Sequence, residues 1–421
     1  MTETKPETAP ERHSWRLQLP IYASGFFNGN VYFLTGILIP LWAVIVVGPD
    51  EAFLIGLIVA SRQILPVLLA IHGGALMDRF GARRVMPIFG GAGIVAMALF
   101  PFFPHAAAMM VLQSVSGLCE SLSWVGSQTL VGTALKGHPT YTGRLSFALR
   151  LGGFTGPWLC GIAWHQFGPT VGFFSIATWI AAGWLAGWCV PLKGEPRDPR
   201  TGVFRMGELL PRWSDYVATF RLMGIASVAL VIAVTIMRQT GSGIQLSFYP
   251  VWLDRLGINA ADIGFMVGCS HVLSASTSLS VGAASRWIKE RWLLVLTIAL
   301  SIATIAITPA LGADFIELPG IGKIHYILFG VICLRGLAQG FNMPLMMSIG
   351  MQAVSAHEQG KLVALRITVN RLTSAVIPLV MGAIAQLFSL EASFYAIGAI
   401  GLGGLALVTV WIARSPAFRP A

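Results

Sequence analysis

Charge is what this chain has least of. Only 11% of its 421 residues are Asp, Glu, Lys or Arg, against about 25% in a soluble domain. With 55% hydrophobic residues and a mean hydropathy of +0.73, that scarcity excludes a soluble globule and points to a protein that crosses a membrane many times. Cysteine is sparse and scattered. Cys119, Cys160, Cys189, Cys269 and Cys333 fall in separate apolar stretches, which excludes a disulfide frame and a CxxC metal site. There is no HExxH, no Gly-x-Ser-x-Gly, no phosphate loop and no clustered pair of carboxylates. Metalloprotease, hydrolase and nucleotide-driven pump chemistry are set aside on that ground, and neither an enzyme, a cofactor nor a bound metal is expected. The first 16 residues are polar and mixed in charge, without the short apolar core and cleavage site of a signal peptide, so a retained cytosolic tail is expected. Scarcest of all is acid inside the apolar stretches, where Glu120 stands alone.

What is there is hydrophobic run after hydrophobic run. At about 20 apolar residues per crossing, the sequence divides into twelve spans: 17–47, 52–77, 85–104, 106–133, 144–167, 170–190, 223–253, 261–285, 292–312, 324–354, 361–388 and 393–413. The net charge of +10 does not read as a nucleic-acid footprint, because it is sorted by side. Outside the spans, every Lys and Arg except Arg255 and Lys323 lies on the side of the termini, and Asp50, Glu51, Asp254, Asp262, Asp314, Glu317 and Glu391 lie opposite. Basic loops face the cytoplasm, so both termini are expected there. With no organelle-targeting leader and short loops, the expected location is a bacterial cytoplasmic (inner) membrane, and the expected state is a monomer in the lipid bilayer.

Six arginines sit in the middle of hydrophobic stretches: Arg62, Arg150, Arg238, Arg335, Arg366 and Arg371. A charge at the bilayer centre costs roughly 2.5–3.5 kcal/mol even on the lenient insertion scales. One glutamate cannot offset six, so the arginines are expected to line a wet cavity that receives an anion. Guanidinium stays charged and binds carboxylate or phosphate through a two-pronged fork. Gln339 shares a helical face with Arg335 and Asn370 shares one with Arg366, and with Asn28 of span 1 they complete the candidate substrate-binding set. Each arginine also has a structural reading, as a partner of Glu120 or of helix carbonyls. Glu120 and His271 are the candidate carriers of a coupling proton; a fixed salt bridge and a hydrogen-bonded core histidine are the alternatives.

The chain also repeats itself. A polar stretch over 191–222 separates six spans (17–190) from six (223–413), with short tails at 1–16 and 414–421. Pro40-Leu-Trp42 in span 1 returns as Pro250-Val-Trp252 in span 7, a register that sets Asn28 against Arg238. Span 5 carries Arg150-x6-Pro157-x3-Gly161, and span 11 carries Arg371-x6-Pro378-x3-Gly382. Internal duplication of this kind builds many secondary transporters, with the site between the repeats.

Gly74-Ala-Leu-Met-Asp78-Arg79-Phe-Gly81-Ala-Arg83-Arg84, between spans 2 and 3, resembles the signature loop of the major facilitator superfamily at every defined position. The resemblance implies the all-α fold of that family: twelve transmembrane helices in two pseudo-symmetric six-helix bundles. It also implies that Gly74, Asp78, Arg79, Gly81, Arg83 and Arg84 form a gate, with Asp78 in a charge clasp between the halves. The second copy, Gly282-Ala-Ala-Ser-Arg286-Trp-Ile-Lys289-Glu290-Arg291, lacks the Asp. Span 5 resembles the family's antiporter motif through Gly152, Gly156, Pro157 and Gly161, with Cys160 replacing one glycine. The family's span-4 proton motif, Arg-x2-Gln-Gly, is not met around Gln113 and Gly117; span 10 has the approximate form Arg335-Gly-Leu-Ala-Gln339-Gly340. The leading expectation is a secondary carrier moving a small anion, whether an organic acid, a phosphate ester or a chelate such as an iron complex. An exporter of amphipathic drugs and a non-transport assembly factor or receptor are the alternatives.

Overall fold

The structure, a computed structural model, describes residues 14–69, 82–135, 139–191, 221–311, 316–318, 322–354 and 359–416. Within them the chain is almost wholly helical, and eight helical stretches are long and apolar enough to cross a membrane. One of these, Arg144–Trp188, holds spans 5 and 6 together. Helices Ala106–Ala134, Ala260–Leu279 and Glu290–Ala306 stand at spans 4, 8 and 9. Spans 5 and 6 part at Gly168, whose φ of 84° and ψ of 176° suit glycine and strain other residues, and Pro169 follows.

Two spans expected as single helices are broken, span 1 near its middle and span 7 near its remote end. Span 1 is Trp15–Asn28 followed by Val31–Val47. A Cβ at Gly29 would overlap the side chains of Leu149 and Trp124, so the backbone turns where they press closest. Asn30 then mends the break: its Nδ2 donates to the Phe26 carbonyl at 2.7 Å and the Leu149 carbonyl at 2.8 Å. A carbonyl freed in hydrocarbon costs several kcal/mol unless a partner is supplied, roughly what an unsatisfied polar group costs there. Span 7 is Ala226–Leu246 followed by Phe248–Arg255, parting at Ser247. Pro250 has no N–H to give the Leu246 carbonyl, and Ser247 Oγ donates back to Gly243 at 2.6 Å.

The halves meet through two matched seams. In one, a Cβ on Gly56 of span 2 would overlap the Pro378 carbonyl of span 11, and one on Gly382 would overlap that of Ala52. In the other, a Cβ on Gly264 of span 8 would overlap the Pro157 carbonyl of span 5, and one on Gly161 would overlap that of Ala260. The duplicated Pro-x3-Gly thus supplies the flat face of each crossing, and small residues let the backbones touch. Both seams lie toward the ends remote from the termini. There Arg255 also donates to the Pro49 carbonyl at 3.0 Å, and Phe53 N–H to Gln386 at 3.2 Å.

The apolar core follows the same division. One cluster containing Leu38, Ile55, Phe173, Trp252, Ile263 and Met381 crosses between the halves at the remote end. Toward the termini the core splits into a cluster of the first half around Ile21, Leu122 and Leu145, and clusters of the second around Leu294, Met346 and Leu365. The molecule is closed on the remote side. A two-stranded hairpin in the loop before span 10 is a departure from the all-helical plan: Ile316–Leu318 pairs antiparallel with Gly322–Ile324, setting Glu317 opposite Lys323.

Candidate functional site

A cavity of about 280 Å3 lies between the halves on the termini side of the seams. Tyr32, Phe33 and Arg150 line it from the first half; Arg238, Gln239, Ser242, Gln245, His271, Ser274, Gln339, Asn342 and Asn370 line it from the second. No carboxylate is among its lining residues. Arg150 has no hydrogen bond or ion pair among the described residues. Arg238 Nη2 donates to Gln239 Oε1 at 2.9 Å and to Asn370 Oδ1 at 2.7 Å, while its Nε is buried without a partner. His271 lies against Phe33, with ring centroids 4.1 Å apart, and its Nε2 is also buried without a partner.

The other intramembrane arginines are used differently. Arg62 is 5% exposed and pairs with Glu120, the one ion pair between described residues. It also donates to Thr35 Oγ1 and lies over the Tyr32 ring, 5.1 Å from the centroid. Glu120 is therefore a structural partner in this conformation. Arg335 is fully buried: Nε donates to Gln245 Oε1 at 3.0 Å, Nη1 to the Ser301 carbonyl and hydroxyl, and Nη2 has no partner. Arg371 crosses between the halves to donate to Ser121 Oγ. Arg366 donates to Met343 Sδ at 2.9 Å at the edge of the cavity.

The structure brings the expected contact residues Arg150, Arg238, Asn370 and Gln339, and the expected proton carrier His271, into one cavity. It separates the repeat-matched pair, with Arg150 facing the cavity and Arg371 bound across the interface. Asn28 is 3% exposed and donates to Ser24 and Ser127 inside the first half. Of the expected gate, Gly74, Asp78, Arg79 and Gly81 lie outside the described residues, as does nearly all of the 191–222 linker. Arg83 and the exposed Arg84 begin the helix Ala82–Leu99.

Gln239, Gln245 and Phe33 line the cavity without having been singled out in the sequence. A signal existed for two of them: Arg238, Ser242 and Gln245 form a polar stripe at helical spacing, with Gln239 beside it.

The seams fix how the halves correspond. Gly56 and Gly264 occupy like positions, so Arg62 matches Ser270 and Gln63 matches His271. Gly117 abuts the Arg62 carbonyl as Gly336 abuts that of Ser270, so Glu120 matches Gln339 and Ser116 matches Arg335.

Comparison with known proteins agrees with this architecture. The family model described as Major Facilitator Superfamily matches residues 21–316 and 231–421. A probable anion transporter 2, chloroplastic, of Oryza sativa subsp. japonica is 21% identical over 237 residues, 52% of this chain and 43% of that protein. The chain thus aligns with less than half the length of that relative. Among solved structures, a variant of the nucleoside transporter NupG superposes with a TM-score of 0.73 at 14% identity, covering 96% of this chain and 100% of that one. The peptide transporter POT in complex with sulfate superposes with a TM-score of 0.69 at 15% identity, covering 97% of each chain.

Proposed function

Because this chain belongs to the Major Facilitator Superfamily and is a multi-pass membrane transporter, we propose that it is a secondary carrier for a small anionic solute, working by alternating access. The observation that carries this reading is a cavity lined without a carboxylate, to which the first half brings Arg150 and the second Arg238. A guanidinium buried without a counter-charge is costly, and an anion bound between the two relieves both. The partial likeness to a probable anion transporter supports the same reading. The absence of acid from the cavity lining counts against export of cationic drugs. The anion enters from the termini side, where the core is split, and closure there with parting of the Gly56 and Gly264 seams delivers it to the other side. Basic loops on the termini side support an orientation with both termini in the cytoplasm of a bacterial cell.

Glu120 is the coupling acid in this reading: displacement of Arg62 frees it to take a proton. The Glu120→Gln carrier in liposomes then exchanges solute but does not accumulate it down a pH gradient; unchanged accumulation ends the coupling claim. The central test is a thermal-shift screen of the purified protein against organic acids, phosphates, iron chelates and lipophilic cations. An anion at 100 times its dissociation constant stabilises by about 2.7 kcal/mol, and the shift disappears in Arg150→Gln. Stabilisation by lipophilic cations alone overturns the anion reading.

A further inference from the structure

The amides of the cavity are not free to choose which end they present. Arginine has five N–H donors and no acceptor, so a carboxamide bonded to it must turn its oxygen that way. Arg335 Nε holds Gln245 Oε1 at 3.0 Å, and Arg238 Nη2 holds Asn370 Oδ1 at 2.7 Å. Gln245 and Asn370 both line the cavity, and with their oxygens committed they offer it their NH2 groups. The second half brings Arg238 and two amide nitrogens to the cavity, and the first half brings Arg150, which has no partner among the described residues. Asn342 Oδ1 accepts from Thr297 Oγ1 at 3.1 Å, and Gln339 Nε2 donates to Gln245 Oε1 at 3.5 Å, a second donor on the same amide oxygen.

We infer that the carrier selects dianions with two separate anionic ends, that is, dicarboxylates, one end held by Arg238, Gln245 and Asn370 and the other by Arg150. This inference rests on the anion reading above and narrows it. Two uncompensated guanidiniums call for two negative charges. A single carboxylate leaves one guanidinium unpaired in a desolvated site, and a neutral polyol leaves both. Arg335 is fully buried and away from the lining, so it acts through Gln245 as a positioning residue that fixes which end of the amide faces the solute.

The experiment is binding to the full-length purified protein at pH 7.5, read by calorimetry and thermal shift. The probes are succinate and malate against butyrate, lactate and glycerol. At least one dianion binds ten-fold or more tightly than the monoanion of like length, and glycerol does not bind. Gln245→Glu and Asn370→Asp each replace a donor by an acceptor that pairs with its arginine. Both variants keep the melting temperature of the unliganded protein and lose ten-fold or more in dianion affinity. Arg335→Lys lowers the dianion-to-monoanion ratio, a readout that a purely structural role leaves unchanged. Dianions and monoanions binding within three-fold of each other overturn the inference while the anion reading stands, and so does unaltered dianion binding in both carboxylate variants. Binding of none of the anions, with stabilisation by lipophilic cations, removes both.

Discussion

Each half of the molecule buries one arginine against the same place on its first helix, Thr35 in the first half and Gln245 in the second, in the register set by Pro40 and Pro250. The arginines arrive from different directions, Arg62 from span 2 and Arg335 from span 10, and they find different company. Arg62 meets a carboxylate, Glu120. Arg335 meets an amide and the Ser301 carbonyl and hydroxyl, and the positions matching Arg62 and Glu120 hold the neutral Ser270 and Gln339. One backbone plan therefore carries two electrostatic designs. The first half balances its deepest charge with a carboxylate; the second holds Arg238 and Arg335 on neutral groups, Arg238 at the cavity and Arg335 behind it.

The sharpest way to break this comparison is to unbalance the balanced half. Glu120→Ala leaves Arg62 buried and alone, and the expected loss is about 3–5 kcal/mol of unfolding free energy. Removing both charges, as Arg62→Leu with Glu120→Leu, restores most of it. Equal destabilisation in chemical unfolding of the single and double variants means that Arg62 and Glu120 are not a self-sufficient pair. Where the halves are alike, they respond alike. Gly56→Leu and Gly264→Leu each drive a side chain into a carbonyl across a seam, with an expected shift of about 2 kcal/mol toward opening of the remote side. Thiol labelling from that side checks it, and opening by one variant alone denies the matched seams. Converting the second half toward the first is milder: Gln339→Glu places an acid where Glu120 has its counterpart. Loss of about ten-fold in affinity for the best dianion of the screen, about 1.4 kcal/mol, is expected, with the fold kept. Unchanged affinity shows that the charge of the second half does not serve binding. Smallest of all is Ser121→Ala, which removes the hydroxyl that Arg371 reaches. A hydrogen bond worth about 1 kcal/mol changes the balance of open and closed forms about five-fold, seen in distance distributions between spin labels on the termini side. No change there denies Arg371 a part in holding this state.

Span positions and the six arginines were legible in the sequence because hydropathy and charge are read residue by residue. The duplicated Arg-x6-Pro-x3-Gly was legible as a repeat, yet its meaning was not. The proline and glycine build the seams, while Arg150 and Arg371 part company, one in the cavity and one on Ser121. Which arginine pairs with Glu120 depends on how far each helix is rotated about its axis, and that is set by packing at Gly117 against span 2 rather than by local spacing. The breaks in spans 1 and 7 were missed for a related reason. Pro40 and Pro250 occupy like places, but the chain parts at Gly29 in one and Ser247 in the other, where neighbouring side chains and hydroxyls repair the damage. Gln245 was passed over because an amide signals nothing until the group that orients it is known.

The pairing of Arg62 with Glu120 also bears on how the chain is made. Both residues belong to the half that leaves the ribosome first, and domains of a growing chain fold in that order. The nascent first half can settle into lipid with its deepest cation already cancelled, needing nothing that has yet to be translated. The second half arrives with its cations uncancelled by acid, and Arg371 docks onto a Ser121 that was laid down some 250 residues earlier.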